Sequence, residues 1–150
     1  MKSSRSFPRD MAALERVFDF TAEVLPAARV SPALRRSVDF VLEEFFTNII
    51  KYGGGRGEVG IDIHMVEGGV EVTVTEPDAH FFDVTKAPAV DTSLPLEQRE
   101  PGGLGLHLVR RLVDTLAYRY SAEERRGTIT FGIRIRPETD NDKRVRNAVH

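Results

Sequence analysis

Two short stretches of this chain carry side chains whose types and spacing suit the gripping of a phosphate chain. Between Val41 and Tyr52, Glu44 and Asn48 stand four positions apart. On a helix that spacing sets a carboxylate and a carboxamide on neighbouring turns of one face. The second stretch, Gly102-Gly103-Leu104-Gly105-Leu106, is a glycine turn directly ahead of an amphipathic segment. Glycines let backbone approach phosphate oxygens, and the free N–H groups of a helix start face an anion. An amide oxygen for a hard divalent cation, a carboxylate and such a helix start are the parts needed to hold a magnesium-bound polyphosphate. Each stretch alone is weak: an isolated Glu-x-x-x-Asn is usually a solvated pair, and a glycine turn usually does no more than start a helix. Their order on the expected elements gives them weight together.

Those elements follow from periodicity. Met11, Leu14, Val17, Phe18, Ala22 and Leu25 predict a first helix ending before Pro26, behind a short polar leader. Ser31 then Pro32 is an N-cap and first-turn proline, and Leu34, Val38, Val41, Leu42, Phe45 and Ile49 carry a second helix to Lys51, stopped by Gly53-Gly54-Gly55. Leu34, Val38, Val41, Phe45 and Ile49 form its buried stripe. Glu44 and Asn48 are expected at one rim of that stripe, bordering the core without entering it, and Glu43 at the other as a second choice for a catalytic carboxylate.

From Val59 the period changes to two. Val59, Ile61, Ile63 and Met65, a turn at Gly68-Gly69, then Val70, Val72 and Val74 predict a hairpin. Pro77 to Gly103 shows no period and reads as a loop, longer than the about 12–15 residues a compact domain usually tolerates, and is expected to act as a lid. Leu104, Leu108, Leu112, Val113 and Leu116 trace a third helix. Ala117–Ser121 and Thr128–Arg136 close a second hairpin, with Ile129, Phe131, Ile133 and Ile135 toward the core. The expected fold is α+β: a two-layer sandwich of a mostly antiparallel sheet with helices on one face.

The 150 residues suit one domain, taken as residues 8–136 with a polar tail at 137–150. Twenty-one basic against 23 acidic residues, a net charge of -2, give no footprint for nucleic acid or anionic membrane. The absence of cysteine removes disulfides and thiolate metal sites. No leader-like apolar segment and no run of eighteen apolar residues occurs, so a cytoplasmic location is expected. His64, His80, His107 and His150 show neither metal spacing nor a triad partner.

Glu44-Phe45-Phe46-Thr47-Asn48-Ile49-Ile50-Lys51-Tyr52-Gly53 and the segment from Gly102 to Asp114 resemble the ATP-binding boxes of bacterial anti-sigma-factor serine/threonine kinases. These belong to the GHKL ATPase superfamily, with the Bergerat fold, and the resemblance covers roughly Met11 to Ile135. It implies that Glu44 is the general base for an acceptor serine, that Asn48 coordinates Mg²⁺, and that Gly103 and Gly105, with Leu104 and Leu106, wrap the phosphates of ATP. It also implies an anti-anti-sigma (STAS-type) protein as acceptor, a sigma factor as second client and a homodimer.

The chain departs from that family at its first glycine box, which reads Glu76-Pro77-Asp78 in place of aspartate, any residue, glycine. The aspartate of the family takes the adenine amino group; Glu76 offers the same carboxylate one methylene further out, and Asp78 adds a side chain and a charge where backbone passes close to the base. The alternative reading is therefore a partner-binding module of the same fold with impaired nucleotide binding. Lys51, near Asn48, is a further candidate for a phosphate contact, against the ordinary reading of a solvent-facing helix-end lysine. Thr128 or Thr130 on the last hairpin is weighed in the same way against an ordinary strand threonine. A histidine-kinase catalytic domain is disfavoured because no helical hairpin bearing a phosphoacceptor histidine fits before Ser31.

Overall fold

The structure is a computed structural model that describes residues 2–81, 83 and 103–135. Its strands are β1 (Lys2–Phe7), β2 (Val59–Val66), β3 (Gly69–Glu76), β4 (Thr115–Ser121) and β5 (Arg126–Arg134), joined in one sheet of order β1-β2-β3-β5-β4 with every pairing antiparallel. Its helices are α1 (Leu14–Val24), entered through a single 3-10 turn at Met11–Ala13, α2 (Pro32–Tyr52) and α3 (Gly103–Leu112). The α+β sandwich expected from the sequence is the fold observed.

Strand alternation decides which sheet face the helices cover. Val59, Ile61, Ile63, Val70, Val72, Val74, Ile129, Phe131 and Ile133 are buried and form one core with the helices. Intervening residues such as Asp62, Thr73, Thr75, Thr128 and Thr130 project to the opposite face, where the Thr73 and Thr130 hydroxyls meet at 3.4 Å. From α2, Leu34, Val38, Val41, Leu42, Phe45, Phe46 and Ile49 enter the core, and Phe45 packs on Phe131 with ring centroids 6.0 Å apart. This long helix is the platform on which the site is built.

Several expectations need correction. The polar leader is a strand: β1 pairs along β2 from Lys2 opposite His64 to Phe7 opposite Val59, held by backbone bonds and anchored by buried Phe7. The buried face of α1 is Val17, Phe20 and Thr21, while Ala22 is exposed. Helix α3 stops at Leu112. Asp114 accepts from the Arg134 N–H at 2.7 Å, so the chain is already turning into the sheet and Leu116 belongs to β4. The last strand runs from Arg126 to Arg134, leaving Ile135 half-exposed. The loop and lid expected over 77–103 and the tail at 137–150 lie, for 82, 84–102 and 137–150, outside the described residues.

Candidate functional site

The C-terminal half of α2 forms one wall of the candidate site. Ser31 fixes where the helix starts, its Oγ accepting from the Leu34 N–H at 3.2 Å, and Pro32 takes the first turn. That start sets the rotation of every later residue, so Glu44, Asn48 and Lys51 follow one another along a single face. At the far end Gly53 donates to the Ile49 carbonyl at 2.9 Å, and Gly54, at φ +65°, takes the chain out of the helix.

Helix α3 arrives against this wall with its glycine-rich first turn. Gly105 sits so close to Glu44 that a Cβ on it would overlap the glutamate carboxylate, which occupies the space a side chain at 105 would need. Gly103 and Leu104 are the first two residues of α3, and Leu106 turns its side chain into the core. Asn48 is 6 % exposed, more deeply set than the rim position expected. Glu43 is exposed and Lys51 is exposed.

Burial pushes the Glu44 carboxyl above its ordinary value; the neighbouring Glu43 charge adds to the rise and the Lys51 ammonium opposes it. A carboxylate kept basic in this way is suited to taking a proton from a hydroxyl. Among the described residues no three His, Cys, Asp or Glu side chains converge on a point that would hold a metal ion. A divalent cation here would rest on Asn48 together with phosphate oxygens and water, the ligand set Mg²⁺ prefers. The glycine turn and the Asn48 carboxamide fit that group.

The end of β3 is built differently from what Glu76 suggested. Glu76 is 6 % exposed, at the end of β3, and its Oε1 accepts from Arg9 Nη1. The Arg9 guanidinium also donates to the carbonyls of Gly57 at 3.3 Å, Arg56 at 3.2 Å and Pro77 at 3.2 Å. One arginine thus ties the N-terminal segment to the loop after α2 and to the end of β3. Asp78 keeps a left-handed backbone at φ +50°, the conformation a glycine favours, and its exposed side chain reaches Arg125 at 3.6 Å. Aspartate tolerates that conformation better than most residues. Beyond it, Ala79 donates to the Arg125 carbonyl at 2.7 Å and accepts from the Tyr120 hydroxyl at 2.7 Å, while Phe81 lies edge-on to Tyr118 and Tyr120. The strand-leaving segment is therefore bound to the tip of the β4–β5 hairpin.

Of the residues singled out, the structure sets Gly105 of α3 against Glu44 of α2, and Glu76 against Gly53 at the end of α2, while Asn48 and Lys51 lie further along α2 from Glu44. It does not bring Thr128 to them. Thr128 pairs with Thr75 and Arg119 in the sheet and alternates with buried Ile129, which directs it to the face away from the helices. Arg9 and Gly53 were not singled out from the sequence. Arg9 meets Glu76 across 67 positions, which no local spacing signals. For Gly53, the signal was the helix-ending glycine run, read as a stop and not as a close contact.

The sequence profile of the family described as histidine kinase-like ATPase domain matches residues 7–132. No curated protein matches the sequence. Among solved structures, the Acinetobacter baumannii histidine kinase AdeS superimposes with a TM-score of 0.44 at 15% identity, over 90% of this chain and 68% of that one. No helix among the described residues is long and apolar enough to cross a membrane.

Proposed function

Because the chain belongs to the histidine kinase-like ATPase family, whose domains bind ATP and usually Mg²⁺ with it, we propose that it is an ATP-dependent serine/threonine protein kinase acting as an anti-sigma regulatory factor. The observation that carries this reading is the Glu44 carboxylate set against the first turn of α3, with Asn48 one turn further along α2. The serine oxygen of a small anti-anti-sigma protein of the STAS type would bond to the γ-phosphorus as the bond to ADP breaks. Glu44 would take the serine proton. Asn48 would hold Mg²⁺, which offsets charge on the phosphate oxygens, and the first turn of α3 would face the phosphates with backbone N–H groups. A sigma factor is the second client in this reading, bound by a cytoplasmic homodimer.

Transfer of ³²P from ATP to a STAS-type protein tests it. Transfer by the wild-type chain and its loss in Glu44→Ala is the expected result; equal transfer by both proteins, or none by either, refutes the kinase role. A second reading, a partner-binding regulator with impaired nucleotide binding, is favoured by the Arg9–Glu76 pair and by Asp78 in the altered glycine box. Calorimetry separates the two, since this second reading expects no heat from Mg-ATP at millimolar concentration.

A further inference from the structure

From the free edge of β1 and the groove beside it we infer a second binding surface, which takes an extended acidic segment of a partner protein as an added strand of the sheet. It shares no residue with the nucleotide reading above.

Strand β1 is paired on one side alone. It stands at the end of the order β1-β2-β3-β5-β4, with β2 as its neighbour. In an antiparallel edge strand every second residue turns its N–H and C=O away from the sheet. Among the described residues no backbone group outside β2 bonds to those of Lys2 to Phe7. At about 3.4 Å per residue, β1 offers roughly 20 Å of open backbone, the length of an ordinary strand.

Alternation of side chains sets what an added strand would meet. Ser3, Arg5 and Phe7 lie on the helix side, where buried Phe7 packs on Phe20 of α1 with ring centroids 5.8 Å apart and the Arg5 guanidinium lies 4.7 Å from the centre of the Phe20 ring. Beside them a groove of about 470 Å³ opens between the sheet edge and the C-terminal end of α1, with Ser3 and Arg5 on one wall and Phe20, Val24 and Pro26 on the other. Aliphatic side chains on the groove side of an added strand would cover that apolar wall. Its remaining side chains would fall beside Lys2, Ser4 and Ser6 on the sheet face opposite the helices.

Charge selects the partner. Strand β1 carries Lys2 and Arg5 and no carboxylate, and Arg29 lines the groove. The one acid of the lining, Glu23, is paired with Arg5 at 3.0 Å. The Lys2 ammonium and the Arg29 guanidinium are thus left with no ion pair or side-chain hydrogen bond among the described residues. A second copy of β1 laid against the first would set cations near cations, the device by which edge strands refuse self-pairing. A strand that alternates acidic with aliphatic residues fits instead. Its carboxylates lie beside Lys2, within a positive field to which Arg29 adds. In strand addition of this kind main-chain hydrogen bonds supply affinity and the pockets for alternate side chains supply specificity.

Amide hydrogen exchange of the full chain, followed residue by residue by NMR, tests this with two end-capped synthetic hexapeptides, one alternating Glu with Val and one alternating Lys with Val. At about 1 mM and low salt the acidic peptide is expected to slow exchange of the outward-facing amides of β1, and to bind at least about tenfold more tightly than the basic one. In the double charge reversal Lys2→Glu with Arg29→Glu, two exposed positions, the preference is expected to invert. No slowing in β1, equal binding of the two peptides, or a preference that survives the reversal overturns the inference. Protection of β1 that grows with protein concentration in the absence of peptide also overturns it, by assigning the edge to a second copy. Should the reversal fail to fold, the location of the slowed amides and the preference of the wild-type chain decide alone.

Discussion

The carboxylate of Glu44 on α2 rests against Gly105 in the first turn of α3, and both of its oxygens lie where a side chain on residue 105 would begin. Stability and function separate at this contact. In Gly105→Ala the new methyl meets only the end of a flexible, half-buried side chain, so Glu44 swings aside and the fold survives. Replacing a helical glycine also gains about 1 kcal/mol of helix propensity. The expected outcome is a melting temperature equal to or above that of the wild type, with phosphoryl transfer lowered by at least about tenfold because the base is displaced. A parallel fall in both quantities would show that the contact is structural alone.

The Glu44 carboxyl sits above its ordinary value of 4.5, raised by burial first and by Glu43 second. In the proposed kinase reading Glu44 would act as an ionised base, so kcat/KM for transfer should fall as pH drops through this raised value. Glu43→Gln removes the second cause and leaves the first, and Glu43 itself is exposed. The acid limb of the pH profile should then move to lower pH with the plateau unchanged. A limb that stays in place in Glu43→Gln assigns it to another group.

Gly53 is required for space and not for conformation. Its backbone is ordinary right-handed helix at φ -67°, yet a Cβ would overlap Glu76 Oε1 and stand 2.6 Å from the Ile49 carbonyl oxygen. Neither neighbour yields easily: one is helix backbone and the other half of a buried ion pair. Gly53→Ala should therefore destabilise the protein by about 1–3 kcal/mol, despite alanine's better helix propensity. Urea unfolding measures this, and an unchanged midpoint would mean that the end of β3 can move away from α2.

How far the sequence announced this arrangement depended on whether a contact was local. Ser31-Pro32 followed by a helical apolar period defined α2 and the shared face of Glu44 and Asn48, and Gly68-Gly69 between alternating valines defined the central hairpin. Those signals lie within a few residues of what they specify. Strand β1 was hidden because Lys-Ser-Ser-Arg-Ser-Phe has no apolar alternation; it is a sheet edge held by backbone bonds, with buried Phe7 as its anchor. The end of α3 was misread because Leu116 continues a helical spacing from Leu112 by coincidence while packing from a strand. The role of Glu76 was least legible, since its partner Arg9 comes from the other end of the chain.

The helices α1 and α2 are joined by a contact with one proton too few for its acceptors. Thr21 Oγ1 lies 2.8 Å from the Phe18 carbonyl and also within hydrogen-bond reach of Asp39 Oδ1, but a hydroxyl donates to only one of them at a time. A protonated Asp39 satisfies both, donating to Thr21 while Thr21 donates to Phe18. Burial raises the Asp39 carboxyl above 3.8, outweighing the Thr21 hydrogen bond and the Arg35 charge that lower it. With the folded value above the unfolded one, the stability this group contributes is fully present below the unfolded value and is lost as pH rises through the folded value. Asp39→Asn supplies a neutral donor at every pH. The variant should match the wild type at low pH and exceed it by about 1 kcal/mol at neutral pH, the gap opening as pH climbs past the raised value. Unfolding free energies of both proteins across that range would measure it, and a gap that is constant or closes with rising pH would mean that Asp39 is held in its charged form.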